Sequence, residues 1–389
     1  MSRKDIADRL LLTQAAITKL TNEMIDQGVL LELGQLQDQN SLGRKKILLG
    51  INYDYRYVVG VSIGFEETWI GISNLKGSPL LDRMIQTDKE TAPERFLETL
   101  CGIIKSMLFD LGVQRNQVLG VGVLMVGTID RKQGISVNET VFGSNGEGHI
   151  VGFGFWNTNI PVKKIMEREL QLEVVVENNV RGGAQAELEY GQNFSVSNLL
   201  FIRLGYGIGS AIVARREILY GYSNMSGELG HVIVDENGKT CRCGKNGCLE
   251  TVSSERAILQ LVTESFSEEN TPELYKLCTG SAEYITLKTV LEASDRKDQG
   301  VNAVLEKGAR YLGKQLAMYA QLMNPEIIAL YGTLFENKIF ISVIRTVIKR
   351  ETQNFNIENL RISSLNNRKA YFGGFAVAVK EMFFGRGAK

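Results

Sequence analysis

Three of the chain's five cysteines and one of its two histidines fall within GHVIVDENGKTCRCGKNGCLE, residues 230–250. His231, Cys241, Cys243 and Cys248 are spaced H-x9-C-x-C-x4-C, and three thiolates with one imidazole suit tetrahedral zinc. Gly244 and Gly247 allow a tight turn between the last two thiols. Four protein ligands fill the coordination sphere and leave no position for water, so the expected ion is structural, one zinc per chain. The other reading is three buried cysteines beside an unrelated histidine, although a CxCGxxGC knuckle seldom arises by chance. An odd number of cysteines makes a poor disulfide framework, which leaves Cys101 and Cys278 as expected buried thiols.

The cluster is flanked by Glu228 and Glu250. Fixing an ion there fixes two carboxylates and the far nitrogen of His231, and carboxylates converging with an imidazole in a cleft suit sugar hydroxyls, each of which seeks both an acceptor and a donor. Taken alone, either glutamate reads equally well as a capping or surface carboxylate.

The surrounding pattern is α/β. YVVGVSIGFEETWIGISNLKG (57–77) and LLFIRLGYGIGSAIVARREIL (199–219) are each strand, glycine turn, strand. Between them come a helix near 94–111, the strand VLGVGVLM, a helix over 161–171 and the strand EVVVE; helices over 301–323 and near 338–353 follow. Alternation of this kind implies a mainly parallel sheet covered on both faces, and the repeated opening implies two similar lobes with a cleft between them. The apolar runs are shorter than the roughly 18–20 residues of a membrane span, and MSRKDIADRL is too charged for a signal peptide; a cytoplasmic protein is expected.

Residues 1–50 have a different texture, with no glycine before Gly28. Thr13 can cap a helix whose inward stripe is Ile17, Leu20 and Met24; the preceding helix turns Ile6, Ala7 and Leu10 inward, and VLLEL and KKILL can pair as a hairpin. The outer face, Gln14, Thr18, Lys19 and Asn22, suits the major groove of DNA, and Arg44, Lys45 and Lys46 could hold the phosphate backbone. A solvated helix beside a hairpin would look the same, since seven basic residues face six acidic ones in this segment and the whole chain has zero formal net charge. The order helix, turn, helix, wing favours DNA. A winged domain ordinarily has one more helix before this pair, so the expectation is a domain that starts upstream or is truncated.

SGELGHVIVDENGKTCRCGKNGCLETVSSE resembles the signature of the ROK family of sugar-responsive repressors and sugar kinases. GVGVLMVGTID (120–130), FWNTNIPVKKIMERELQLEVVVENN (155–179), LGYGIGSAI (204–212) and LMNPEIIALYG (322–332) follow in the family's order. The resemblance implies a two-lobed actin-like (ribonuclease H-like) ATPase fold over 55–389, with lobe one about 55–180, lobe two about 181–389 and a zinc loop at 231–248, preceded by a winged helix-turn-helix domain over 1–50 as in the repressor branch. It places a sugar between the lobes, against Asn178, Asn179, Glu228, His231 and Glu250. It also implies a homodimer or tetramer on operator DNA.

The kinase branch carries an Asp directly after the Asn of its Asn-Asp motif; here that position is Asn179, and an amide has no useful basicity near neutral pH. The phosphate turn, Asp-x-Gly-Gly-Thr in the kinases, reads Ser62-Ile63-Gly64-Phe65-Glu66, and the paired glycines near the adenosine become Tyr331-Gly332. The expectation is a sugar-sensing repressor without catalytic residues. The alternatives are a sugar kinase and a sugar-binding protein that does not bind DNA.

Overall fold

The structure is a computed structural model and describes residues 1–35, 46–137, 139–142, 148–151, 159–192 and 195–385. Helix Arg3–Leu10 starts at a reciprocal cap, in which Ser2 accepts from the Asp5 amide and Asp5 accepts from that of Ser2. Helix Gln14–Asp26 starts at Thr13, whose hydroxyl accepts from Ala16 N, and Gly28, at φ 78°, ends it. Strands Leu30–Gln35 and Ile47–Ile51 then pair antiparallel, as their sequence implies.

The inward stripe of the second helix differs from the expected one. Ile17 and Thr21 are buried, whereas Leu20, Met24 and, on the first helix, Leu10 are exposed. The rotation follows from a polar contact that hydrophobic periodicity does not register: Thr21 Oγ1 donates to Ile17 O (2.8 Å) and accepts from Arg3 Nε (3.0 Å). The helices are thereby tied together through a satisfied hydroxyl.

Two five-stranded sheets form the rest. The first runs Val174–Asn178, Val118–Met125, Tyr57–Ile63, Glu67–Asn74, Pro79–Gln86, and its first three strands are parallel. The second runs Glu217–Ile218, Ile208–Ala214, Leu199–Leu204, Ile327–Tyr331, Leu360–Ile362, and its last three are parallel. Each sheet thus contains an antiparallel hairpin followed by parallel additions, the repeated lobe of the actin-like fold. Helices Pro93–Asp110 and Val162–Leu170 bury Leu97, Leu100, Ile104, Ile165 and Met166 against the first sheet. Helices Gln299–Met323 and Lys338–Glu351 likewise cover the second with Leu305, Leu312, Leu316 and Ile344.

Two helices join the lobes. Asn179–Tyr190 packs Ala184 and Leu188 against Leu199, Phe201 and Val213 of the second sheet, while Gly182 lies against Leu124 of the first. The C-terminal helix, Phe372–Ala378 continuing to Phe384, corrects the expected lobe boundary, because it leaves the second sheet and packs Phe375 and Met382 with Val58 of the first. Its backbone touches strand backbone: a Cβ on Gly122 would meet Gly374 O at 2.0 Å, and one on Gly60 would meet Tyr371 O at 2.4 Å. Lobe two is therefore not one continuous stretch from 181 to 389.

A buried charge network crosses the same seam. Glu177, 1% exposed, receives a hydrogen bond from Tyr220 Oη (3.1 Å) and lies 3.5 Å from Arg181 Nη1 and 3.3 Å from Arg131 Nε; the last contact lacks hydrogen-bond alignment. Arg131 also pairs with Glu381 of the C-terminal helix. Burial pushes the Glu177 carboxyl up, opposed first by Arg181. Among the described residues no helix is long and apolar enough to cross a membrane.

Gly122→Ala forces helix from sheet and should lower stability by about 2–3 kcal/mol. Gly102→Ala, in a helix where nothing lies within 4 Å of the new methyl, should be neutral or add up to ~1 kcal/mol. Denaturant unfolding of both variants checks the contrast.

Candidate functional site

The loop after the short helical turn Leu229–His231 brings the four expected ligands together. One ligand atom each from His231, Cys241, Cys243 and Cys248 falls in a group spanning no more than 4.8 Å. Cys243 Sγ lies 3.6 Å from Cys248 Sγ, and His231 Nδ1 lies 3.6 Å from Cys241 Sγ. Tetrahedral zinc with its usual bond lengths would put two sulfurs roughly 3.8 Å apart and a nitrogen and a sulfur roughly 3.6 Å apart, so the donor set fits such an ion.

Local backbone explains why the loop closes. Gly244 and Gly247 both have positive φ, 84° and 70°, and a Cβ on Gly247 would lie 1.5 Å from Asp235 O. Cys241 N donates to Lys245 O (2.7 Å), and Leu249 N to Val232 O (2.8 Å). Burial pushes the Cys241 and Cys248 thiols up and holds His231 below its ordinary value, with the charges of Glu250 and then Glu228 opposing the shift on the histidine. A cation supplies the charge that lets closely packed thiols ionise.

Glu250 starts helix Glu250–Ser253 and is 1% exposed. Its Oε2 accepts the backbone N–H of Ile208 at 3.1 Å, and its Oε1 lies 2.9 Å from Arg242 Nε. Arg242 stands between Cys241 and Cys243, so the metal loop itself supplies the partner of this carboxylate. The pairing was not foreseen; an arginine inside the knuckle is the signal that carried it. Glu228 precedes the turn that ends at His231, and its side chain makes no capping hydrogen bond there.

The two asparagines divide their work. Asn178 caps the helix that follows it: its Oδ1 accepts from Val180 N (2.8 Å) and Arg181 N (3.3 Å), and its Nδ2 donates to Gly127 O (2.9 Å). Asn179, one residue on, lines the cavity between the lobes with Ser62 and Arg203. The two glycine turns approach each other where Phe65 and Tyr206 put their ring centroids 6.4 Å apart. Glu66 is paired with Lys89 at 2.6 Å.

On the N-terminal helices, Gln14, Thr18, Lys19 and Asn22 are all exposed on one element. Asn22 accepts from Arg3 Nη2 at 2.9 Å, and Thr18 donates to Gln14 O at 2.7 Å. Arg44 and Lys45 lie outside the described residues; Lys46 sits 3.8 Å from Asp5.

Cys248→Ser removes one ligand of four, and metal content measured by elemental analysis after gel filtration should fall from about one ion per chain to about a tenth or less. Retention of a full equivalent would exclude Cys248 from the site.

The family model described as the ROK family matches residues 58–381. The xylose repressor of Caldicellulosiruptor bescii is 24% identical over 385 residues, covering 98% of this chain and 92% of its own. The glucokinase of Halalkalibacterium halodurans is 31% identical over 278 residues, 71% of this chain and 80% of its own. Among solved structures, a ROK family transcriptional regulator, a homolog of the Escherichia coli MLC protein, superimposes with a TM-score of 0.79 at 26% identity, covering 99% of this chain and 93% of that one. With its zinc-type knuckle, paired lobes and a family match that spans both, the chain belongs to the ROK family.

Proposed function

We propose that the protein is a sugar-responsive transcriptional repressor: residues 1–50 hold operator DNA, and a sugar in the interlobe cleft releases it. The observation that carries this reading is the presence, in one chain, of a helix pair with an antiparallel hairpin ahead of the two five-stranded sheets; in this reading Glu228, His231 and Glu250 would meet the hydroxyls of the sugar. Similarity to a xylose repressor along 98% of the chain, N-terminal segment included, supports it. In this reading Gln14, Thr18, Lys19 and Asn22 face the major groove, with Arg44 and Lys45 on the phosphates. Asn178 shapes the wall by holding the helix start against Gly127, and Asn179 meets the ligand. The ion is zinc, held by His231 Nδ1 and the three thiolates, and its work is to keep the loop folded. A dimer or tetramer presents paired domains to a two-fold operator.

Release requires the sugar to prefer one arrangement of the lobes over another, by about 10⁴-fold for a complete switch. The helix Asn179–Tyr190 and the C-terminal helix, each packed against both lobes, are the elements through which such a preference reaches the rest of the chain.

A sugar kinase is the second reading, favoured by the 31% identity to a glucokinase. Against it stand Asn179, which cannot take a proton from an attacking hydroxyl, and Phe65, whose ring stands where backbone must approach phosphate.

Fluorescence anisotropy with the DNA upstream of the protein's own gene tests the proposal. Binding at moderate salt is expected, weakened at least tenfold by one member of a panel of pentoses, hexoses and amino sugars, and weakened comparably by Lys19→Ala with Asn22→Ala. Absence of DNA binding, or ADP release on adding sugar and ATP, would overturn it.

A further inference from the structure

The C-terminal helix changes its winding at Val379. From there to Phe384 it is a π-helix, closed by the Gly385 amide, which donates to Lys380 O, five residues back, at 2.8 Å. Such turns are rare and concentrate at functional positions. Here four successive side chains reach four different parts of the molecule. Lys380 pairs with Glu217, on the edge strand of the second sheet, at 3.0 Å. Glu381 pairs with Arg131, whose guanidinium stands 5.1 Å from the centre of the Tyr220 ring. Met382 is buried with Val58 of the first sheet. Phe383 lies 6.5 Å, ring centre to ring centre, from Tyr55.

Tyr55 is where the N-terminal segment meets the lobes. A Cβ on Gly28, the residue that ends helix Gln14–Asp26, would lie 3.9 Å from its ring. The turn from Asn52 to Tyr55 carries the hydrogen bonds between the two: Asn52 N donates to Val29 O (2.9 Å), Asn52 Nδ2 to Gly28 O (2.8 Å) and Tyr55 N to Asn52 O (3.1 Å). Arg56 rests over the Tyr55 ring at 5.3 Å and donates to Asn116 O at 2.6 Å, which fixes the turn to the first lobe.

We propose that Val379–Phe384 is a mechanical joint: the placement of the second lobe against the first is passed, through Phe383 against Tyr55, to the end of helix Gln14–Asp26. A segment held by both lobes within four residues cannot keep every contact when the lobes rotate. Lys380 and Glu381 follow Glu217 and Tyr220, while Met382 stays wedged in the first lobe. Rewinding from i→i+5 to i→i+4 bonds relieves the mismatch and turns Phe383 about the helix axis, away from Tyr55. Two windings are discrete states, so the joint switches and does not bend gradually. An aromatic contact of this kind biases a local equilibrium roughly two- to twelvefold. As regulation the inference rests on the repressor reading above; as a linkage it does not.

Hydrogen exchange of the full chain, without DNA or sugar, reads the linkage at the Gly28 and Val29 amides, which donate to Ile25 O and Met24 O. Phe383→Leu should speed their exchange about fivefold. Glu381→Gln and, separately, Lys380→Gln should speed it at least twofold from the far side of the joint, and neither should add to the effect of Phe383→Leu. Lys380→Gln breaks an ion pair whose acid is 72% exposed, so it reports even if Glu381→Gln folds poorly. Unchanged protection in both, or an effect that survives Phe383→Leu in full, would overturn the linkage. Fluorescence anisotropy on the DNA upstream of the protein's own gene, with D-xylose, D-glucose and N-acetyl-D-glucosamine, reads regulation separately. The tenfold weakening expected of the wild-type chain should shrink below threefold in Phe383→Leu, with sugar affinity by calorimetry kept within threefold. A full response in that variant would overturn the regulatory role. A wild-type chain that ignores DNA removes the repressor reading and the regulatory role with it, and the exchange cycle still decides the linkage.

Discussion

A carboxylate that is 1% exposed cannot stand alone in a protein interior, because desolvation of an unpaired charge costs far more than a fold can spare. Glu250 is such a group, and its partners explain the arrangement around it. The Ile208 amide comes from the second glycine turn and the Arg242 guanidinium from the cysteine knuckle. One side chain therefore ties the cysteine loop to the strand that follows the turn. An ion on these four ligands would hold Arg242 in register, since the loop has few apolar residues of its own. The cysteine loop is thus joined to Glu250 through a charge pair.

The same economy of contact governs the seam between lobes. Glu177 gathers Arg131, Arg181 and Tyr220 from different elements, and Arg131 passes the connection to Glu381 on the C-terminal helix. Glycines let that helix lie directly on the strands, so little separates the end of the chain from the centre of the first sheet. Rigid packing of this kind favours discrete arrangements over gradual deformation. A ligand that draws the lobes together would move the two shared helices as units, which is what a switch coupled to a separate N-terminal segment needs.

Much of this was legible in the residues. Strand, glycine turn, strand at 57–77 and again at 199–219 became the opening hairpins of two matching sheets, and the cysteine spacing became a cluster with the interatomic distances of a tetrahedral site. Other features were not. The inward face of Gln14–Asp26 turned on a buried threonine hydroxyl, to which apolar spacing is blind. FGGFAVA is apolar on every side, so nothing in it says which sheet it covers; the contacts of Gly60 with Tyr371 and of Gly122 with Gly374 join residues about 310 and about 250 positions apart. Asn178 read as a sugar ligand by resemblance, yet its position before a helix is equally that of a cap, and the cap occupies both ends of its amide.

The central claim is that the ion in the cysteine loop holds Arg242 against Glu250 and so fixes the wall of the cleft. Hydrogen exchange of the metal-loaded and chelated protein, read at the Ile208 amide that Glu250 accepts and across residues 231–248, tests it most directly. The account predicts that chelation removes protection at both places together. Loss confined to 231–248, with Ile208 as protected as before, would contradict it.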